Sequence, residues 1–322
     1  MTDNTANPSE TIDRLSAYLN GAKASDLKIE PLSGGTRNAT YLLRGDGWNR
    51  VLRLSRSSPE ENGSYEHEIN NMKIAVAAGL APHVYFADPV NGTMILDFID
   101  GTVMNARSLR EKVNAIASAQ LVRELHTLDG FQGNYDIFKI IRKNIDKIQQ
   151  SEIELTPKHT QAIDLLEKTQ TVLSDNAVPN SATHNDIFSG NFVSFRNKMY
   201  LIDWECAALA EPHWEVAALC AQVGLSNAVR REYLTTYFGT DDHPAMCRIP
   251  LFEGACRLYW WTEAMCRSLD KSDDQSWKED EKDWWGWYNE TTDNKAFIET
   301  LNIAENYRWR PEHEISKFHK PA

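Results

Sequence analysis

One stretch constrains this chain more than any other. It is Thr183-His184-Asn185-Asp186-Ile187-Phe188-Ser189-Gly190-Asn191, followed by Leu201-Ile202-Asp203-Trp204-Glu205. An aspartate, an asparagine five positions on and a second aspartate closing an apolar run can act on one group only if the chain between them doubles back. The intervening residues are suited to that. Phe192-Val193-Ser194-Phe195 and Met199-Tyr200-Leu201-Ile202 read as two short strands joined at Arg196-Asn197-Lys198, a hairpin that carries Asp203 back beside Asn191. Glu205 stands two residues beyond Asp203, so in extended chain both side chains face the same way. Asn, Asp, Ser and Gly are also ordinary turn residues, and the alternative for the Asp186–Asn191 spacing alone is an Asx-rich turn between strands. Ile-Asp-Trp-Glu at hairpin distance favours chemistry over a turn.

The chemistry that asks for this spacing is phosphoryl transfer. Its transition state needs positioning and charge neutralisation more than covalent help, so one base and two metal ligands around one phosphate suffice. Asp186 would accept the proton of an attacking hydroxyl. Asn191 and Asp203 would hold Mg²⁺, a hard cation that takes a few oxygen ligands from protein and the rest from phosphate and water. Glu205 reaches either a second metal or a surface salt bridge.

Bulk properties narrow the partners. The 322 residues carry 46 acidic against 34 basic side chains, a net charge of −12, which argues against nucleic acid or an anionic membrane surface as the main partner. Cys206, Cys220, Cys247, Cys256 and Cys266 are odd in number and show no CxxC pair, so reduced, mostly buried thiols are expected rather than a zinc site. No apolar run approaches the roughly 20 residues that span a bilayer. Met1 to Glu10 is polar, without the basic and apolar regions of a signal peptide, and cytoplasm is the expected location.

Along the chain, Thr11 to Leu19 reads as a short amphipathic helix. Residues 27 to 54 follow a β pattern, with Gly45-Asp46-Gly47 as a hairpin turn. Helical periodicity runs from Tyr65 to Ala78 and stops at Gly79 with Pro82 beyond. Val84-Tyr85-Phe86 and Thr93 to Phe98 read as strands around Asn91-Gly92. After Gly101 the pattern is helical apart from the hairpin, and the charged stretch Asp270 to Asp283 reads as a solvated loop or helix end. The expected fold is α+β in two lobes, a small β-rich lobe over residues 1–100 and a larger, mostly helical one over 101–322. Ser33-Gly34-Gly35-Thr36-Arg37-Asn38 lies where a loop would fold over nucleotide phosphates, glycine letting its backbone approach. Arg53 in Val51-Leu52-Arg53-Leu54 sits on a strand, and Glu68 on the next helix is its natural ion-pair partner, with Glu66 competing.

These parts, in this order, resemble the choline/ethanolamine kinase family, within the aminoglycoside-phosphotransferase and protein-kinase-like superfamily. The resemblance rests on Gly34 to Asn38, Val51 to Leu54, Glu68 with Gly79-Leu80-Ala81-Pro82, and Leu96-Asp97-Phe98-Ile99-Asp100-Gly101. His184-Asn185-Asp186 with Asn191, and Ile202-Asp203-Trp204-Glu205, complete it. It spans roughly residues 30 to 220 and implies a protein-kinase-like fold and an ATP- and Mg²⁺-dependent kinase. By resemblance Gly35 and Asn38 touch the nucleotide, Arg53 holds phosphates, Glu68 pairs with it, and Asp97, Phe98 and Ile99 form the adenine hinge. Asp186 matches the catalytic base, Asn191 and Asp203 the Mg²⁺ ligands, and Glu205 a further acidic residue near the metals. His184 reads as structural. One departure is Trp214-Glu215, where the family often has a Trp-Asp pair bracing the catalytic loop. Glutamate there leaves one methylene too many or marks a branch.

The resemblance implies choline or a related small cationic amino alcohol as substrate. Thiamine or an aminoglycoside is the alternative, and a nucleotide-binding pseudokinase is the reading from another class. Tyr259-Trp260-Trp261 and Trp284-Trp285-Gly286-Trp287-Tyr288 supply aromatic faces of the kind that bind quaternary ammonium. Trp260, Glu263, Trp284 and Trp287 are the candidate substrate residues. The competing reading packs Trp284, Trp287 and Tyr288 as one apolar helix face. Oligomeric state, a homodimer included, stays open in the sequence.

Overall fold

In a computed structural model, residues 7–32, 37–56, 65–269 and 276–315 are described, and the chain divides into two compact units. One comprises Met1–Met104, Leu128–Gly133 and Gly190–Ala208, the other Asn105–Thr127, Asn134–Ser189 and Leu209–Ala322.

Alternating apolar residues build the sheet of the first unit. Strands β1 (Lys28–Leu32), β2 (Asn38–Gly45), β3 (Trp48–Ser55), β4 (Val84–Ala87) and β5 (Met94–Asp97) form one antiparallel sheet in the order β1-β2-β3-β5-β4. The pleat sends Leu52 and Leu54 of β3 to one face, where they form a core with Ala39, Leu43 and Ile95. Helix α1 (Pro8–Arg14) contributes Ile12 to that core. The sequence predicted one helix over Thr11 to Leu19. Instead Leu15 leaves helical geometry at φ −98° and ψ 18°, and Ser16–Leu19 forms a separate 3₁₀ turn ended by left-handed Asn20. Leu15 and Leu19 still reach the core.

Arg53 takes the opposite pleat and meets helix α2 (Tyr65–Ala77), which ends one residue before its predicted limit. Gly79, at φ +73°, closes that helix, and the Leu80 amide donates back to the Ala75 carbonyl at 2.8 Å. The hairpin between Asn191 and Asp203 forms as predicted in outline. Strands β6 (Thr102–Val103), β8 (Phe192–Phe195) and β9 (Lys198–Leu201) make a second sheet in the order β6-β8-β9. Arg196 and Asn197, at φ +50° and +61°, form its two-residue turn, so Lys198 belongs to the strand. Gly101 is required by close approach, since a Cβ there would lie 2.5 Å from the Ser194 carbonyl oxygen.

The second unit is mainly helical. It holds α3 (Ala106–Leu109), α4 (Lys112–His126), α5 (Ile137–Gln149), α6 (Pro157–Asp175), α7 (Pro212–Val223), α8 (Asn227–Phe238), α9 (Ile249–Leu269), α10 (Ser276–Thr292) and α11 (Lys295–Glu305). A short strand β7 (Ser181–Thr183) pairs with β10 (Ala208–Ala210). Every residue of α7 except Gln222 is buried, and α9 packs on α5, α7 and α10. Part of the charged stretch expected as a loop or helix end is α10 itself, while Asp270 to Gln275 lie outside the described residues. Among the described residues no helix is long and apolar enough to cross a membrane. The architecture is α+β, an antiparallel sheet in the N-terminal part and helices in the C-terminal part.

Candidate active site

Arg53 Nη1 lies 2.6 Å from Glu68 Oε1 and 3.8 Å from Asp203 Oδ1. The Arg53 and Glu68 side chains are only 7% and 6% exposed. Burial works against the guanidinium charge, but Glu68, Asp203 and Glu205 outweigh it and hold the Arg53 pKa above its ordinary value. Glu66 is exposed, so of the two candidates Glu68 is the partner. Helix phase explains the choice. Tyr65, Glu68 and Asn71 recur at three-residue steps along one face, and the Tyr65 hydroxyl lies 2.7 Å from Ser55 Oγ.

Asn71 was not singled out in the sequence. It is fully buried, donates to the Gln132 and Ala207 carbonyls at 2.9 and 2.8 Å, and accepts from the Gln132 amide at 2.8 Å. It thereby ties α2 to the segment that follows Asp203. Its place three residues after Glu68 was the available signal.

The hairpin returns the chain to Asn191, whose carbonyl accepts from the Ile202 amide at 3.0 Å. Asn191 is buried, and Asp203 follows Ile202 with a left-handed φ of +65°. Outside glycine, Asn and Asp are the residues that adopt this region most readily. Trp204 is fully buried and donates its indole N–H to the Leu201 carbonyl at 3.0 Å, anchoring the turn.

Glu205 faces Arg37 Nη1 at 3.3 Å and accepts from Asn38 Nδ2 at 2.7 Å. Burial and the neighbouring Asp203 charge push its carboxyl up to about 7, against the pull of Arg37 and Arg53. Two crowded carboxylates that resist ionising together are a donor set short of one cation. Among the described residues no group of three or more His, Cys, Asp and Glu could hold a metal. Asn191, Asp203 and Glu205 offer only oxygen and amide donors, a chemistry that fits Mg²⁺, which completes its shell with phosphate and water, better than zinc.

Asp97 closes β5, its amide donating to the His83 carbonyl at 2.8 Å, and Phe98 and Ile99 continue as irregular chain. Asp97 and Phe98 also border a cavity of about 460 Å³ with Trp48 and Tyr85. Trp48 takes the pleat opposite to Arg53, so that cavity does not serve the Arg53 face. Gly35 lies outside the described residues.

In the second unit, Ala182 to Asn185 are buried and Asp186 emerges half-buried at their end. Asn185 is left-handed, φ +64°. The Glu215 carboxylate, with no solvent exposure, accepts the His184 and Asn185 amides, each at 2.8 Å. The extra methylene that made Glu215 suspect in the sequence thus does not keep it from the loop. Its other oxygen is 2.6 Å from His126 Nε2. His126 was not singled out, and no local pattern separates it from an ordinary helix-end histidine.

The C-terminal aromatics divide rather than forming one packed face. Trp261, Trp285, Tyr288 and His159 cluster together, with Trp261 and Tyr288 buried. Trp260 stacks on Trp284 at 5.9 Å, Trp284 meets Trp287 edge-on at 4.9 Å, and Trp287 is 42% exposed. The predicted face of Trp284, Trp287 and Tyr288 is thus split: Trp261 of α9 meets the Trp285–Tyr288 stack, Trp260 of α9 meets Trp284, and Trp287 is left at the surface. Glu263 accepts from Asn144 Nδ2 at 2.8 Å and lies 3.7 Å from Arg267 Nε.

Comparison with known proteins bears on the family and the fold. Residues 28–248 match the family model described as the phosphotransferase enzyme family. The protein LicA of Haemophilus influenzae is 24% identical over 211 residues, covering 63% of this chain and 61% of that protein. The matched span is 36% to 61% of the length of the curated relatives. A choline/ethanolamine kinase family protein from Mesorhizobium loti superposes with a TM-score of 0.79 at 20% identity, over 92% of this chain and 98% of that one. The choline kinase LicA from Streptococcus pneumoniae gives 0.69 at 18% identity, over 91% and 98%. At these identities the shared property is the kinase-like fold.

Proposed function

The chain belongs to the phosphotransferase enzyme family, and from that premise we propose that it transfers the γ-phosphoryl group of ATP to the hydroxyl of choline or a related small cationic amino alcohol. The observation that carries this reading is the buried Arg53–Glu68 pair reaching Asp203. A guanidinium held charged by one carboxylate and pointed at a second, left-handed aspartate is a phosphate-binding group beside a metal-binding one.

In this reading Arg53 binds the nucleotide phosphates, and Phe98 and Ile99 offer backbone groups to adenine. Asn191 and Asp203 hold Mg²⁺, with Glu205 nearby, and the ion when bound neutralises phosphate charge. Asp186 accepts the proton of the substrate hydroxyl as its oxygen bonds to the γ-phosphorus and ADP departs. The half-buried, stacked rings of Trp260 and Trp284 and the exposed ring of Trp287 suit a trimethylammonium or amine cation, and they favour choline over a neutral alcohol.

The test is ADP release from the purified protein with Mg·ATP and a panel of choline, ethanolamine, thiamine and kanamycin. Stimulation by choline or ethanolamine is the expected outcome. Stimulation by thiamine or kanamycin alone moves the substrate to the alternative named. ATP binding without turnover of any of them overturns the amino-alcohol reading, and no ATP binding overturns the kinase reading altogether.

A further inference from the structure

We propose that His126 is a positioning residue for the loop bearing Asp186, fixing the Glu215 carboxylate in the orientation from which it grips that loop; this rests on the reading of Asp186 as the base. Glu215 reaches the loop through one oxygen, Oε1, which takes both the His184 and the Asn185 amides. A glutamate has one more rotatable bond than aspartate, so a grip through one oxygen leaves the carboxylate free to swing. His126 Nε2, 2.6 Å from Oε2, removes that freedom.

His126 is itself fixed from a third helix. Its Nδ1 lies 2.7 Å from the Tyr237 hydroxyl, and the two rings meet edge-on at 5.5 Å. The direction of the hydrogen bonds follows from chemistry. A carboxylate that already accepts two amide protons accepts a third from Nε2–H, which leaves Nδ1 to accept from Tyr237. Burial pushes the Tyr237 hydroxyl well above its ordinary pKa, so it keeps the proton it must donate. The chain of donors runs from Tyr237 on α8 to His126 at the end of α4, to Glu215 on α7, where the loop amides also converge.

The consequence falls on Asp186. Asn185 holds a left-handed φ of +64° directly before it, a region asparagine tolerates and that the Glu215 grip on its amide selects here. Its amide proton is one of the two that Glu215 grips. If Glu215 swings, Asn185 can return to an ordinary conformation, and that turns the Asp186 carboxylate away. A displacement near 1 Å costs roughly 10²-fold in rate.

Two variants test this, His126→Leu and His126→Gln, since the glutamine amide nitrogen can replace the Nε2 donor. The first readout is hydrogen exchange at the His184 to Asp186 amides, which needs no turnover. The second is kcat and KM with choline and Mg·ATP. His126→Leu should speed exchange in that segment by roughly tenfold or more. It should lower kcat roughly 10²-fold while both KM values stay within about twofold. His126→Gln should recover most of both. Wild-type exchange in His126→Leu overturns the proposal, and so does a glutamine variant as impaired as the leucine one, which would mark ring packing alone. Should His126→Leu not fold, His126→Gln must keep exchange near wild type while Tyr237→Phe accelerates it. If the wild-type protein turns over no substrate, the functional reading fails and the exchange data still decide the His126–Glu215 link.

Discussion

Replacing Glu68 by glutamine keeps shape and hydrogen-bonding capacity but removes the charge opposite Arg53. At an effective dielectric near 20, the 2.6 Å separation from Glu68 corresponds to about 6 kcal/mol of attraction, and the 3.8 Å separation from Asp203 to about 4 kcal/mol. Asp203 is 38% exposed and more strongly screened, so it compensates only in part. Breaking a buried pair from one side typically costs about 3–5 kcal/mol. With Asp203 remaining, Glu68→Gln should fall at the lower end, about 3 kcal/mol. Urea unfolding, with hydrogen exchange in β3 and α2 peptides to localise the loss, measures it. Arg53→Met with Glu68→Leu removes both charges, and stability should return to within about 1 kcal/mol of wild type. Mg·ATP binding by calorimetry should not return. A Glu68→Gln variant within about 0.5 kcal/mol of wild type refutes the electrostatic argument, and a double variant that still binds Mg·ATP removes Arg53 from phosphate binding.

Glu205 makes a pH-dependent prediction. Its carboxyl lies near 7 instead of 4.5 in the metal-free protein. A raised folded-state pKa means its stabilising contribution is full below about 4.5 and is lost as pH climbs through about 7. Metal-free protein should therefore lose stability between about pH 4.5 and 7, Mg²⁺ affinity should rise over the same window, and Glu205→Gln should flatten both; an unchanged pH profile in that variant would exclude Glu205 as the cause. Asp186→Ala should lower kcat by roughly 10²–10⁴ with folding intact, and wild-type turnover in the folded variant would remove Asp186 from its role. Trp260→Ala should raise the KM for choline and leave that for ATP unchanged. Trp261→Ala, only 1% exposed, should instead cost about 3–5 kcal/mol of stability. Equal stability losses in the two variants would place both tryptophans in the core.

The sequence by itself determined the parts that depend on local order. Strand alternation and turn residues predicted β2, β3 and the β8–β9 hairpin, because side-chain period and turn chemistry are properties of neighbouring residues. The hairpin was expected to carry Asp203 back to Asn191 and does, although its turn is the two residues Arg196-Asn197, not three, which puts Lys198 in the strand. The choice of Glu68 over Glu66 was open until helix phase was known. Tertiary structure alone decided which distant residues share a carboxylate. Glu215, 30 residues beyond Asn185, looked one methylene too long; His126 and Tyr237, lying on two other helices, make that length usable. The division of the tryptophans has the same origin. Spacing along α10 places Trp284, Trp287 and Tyr288 on one side, yet packing of α9 buries Trp285 and Tyr288 more deeply than Trp287. Local pattern is written in the order of residues, whereas burial and hydrogen-bond partnership depend on which helices meet, and only the folded chain brings those together.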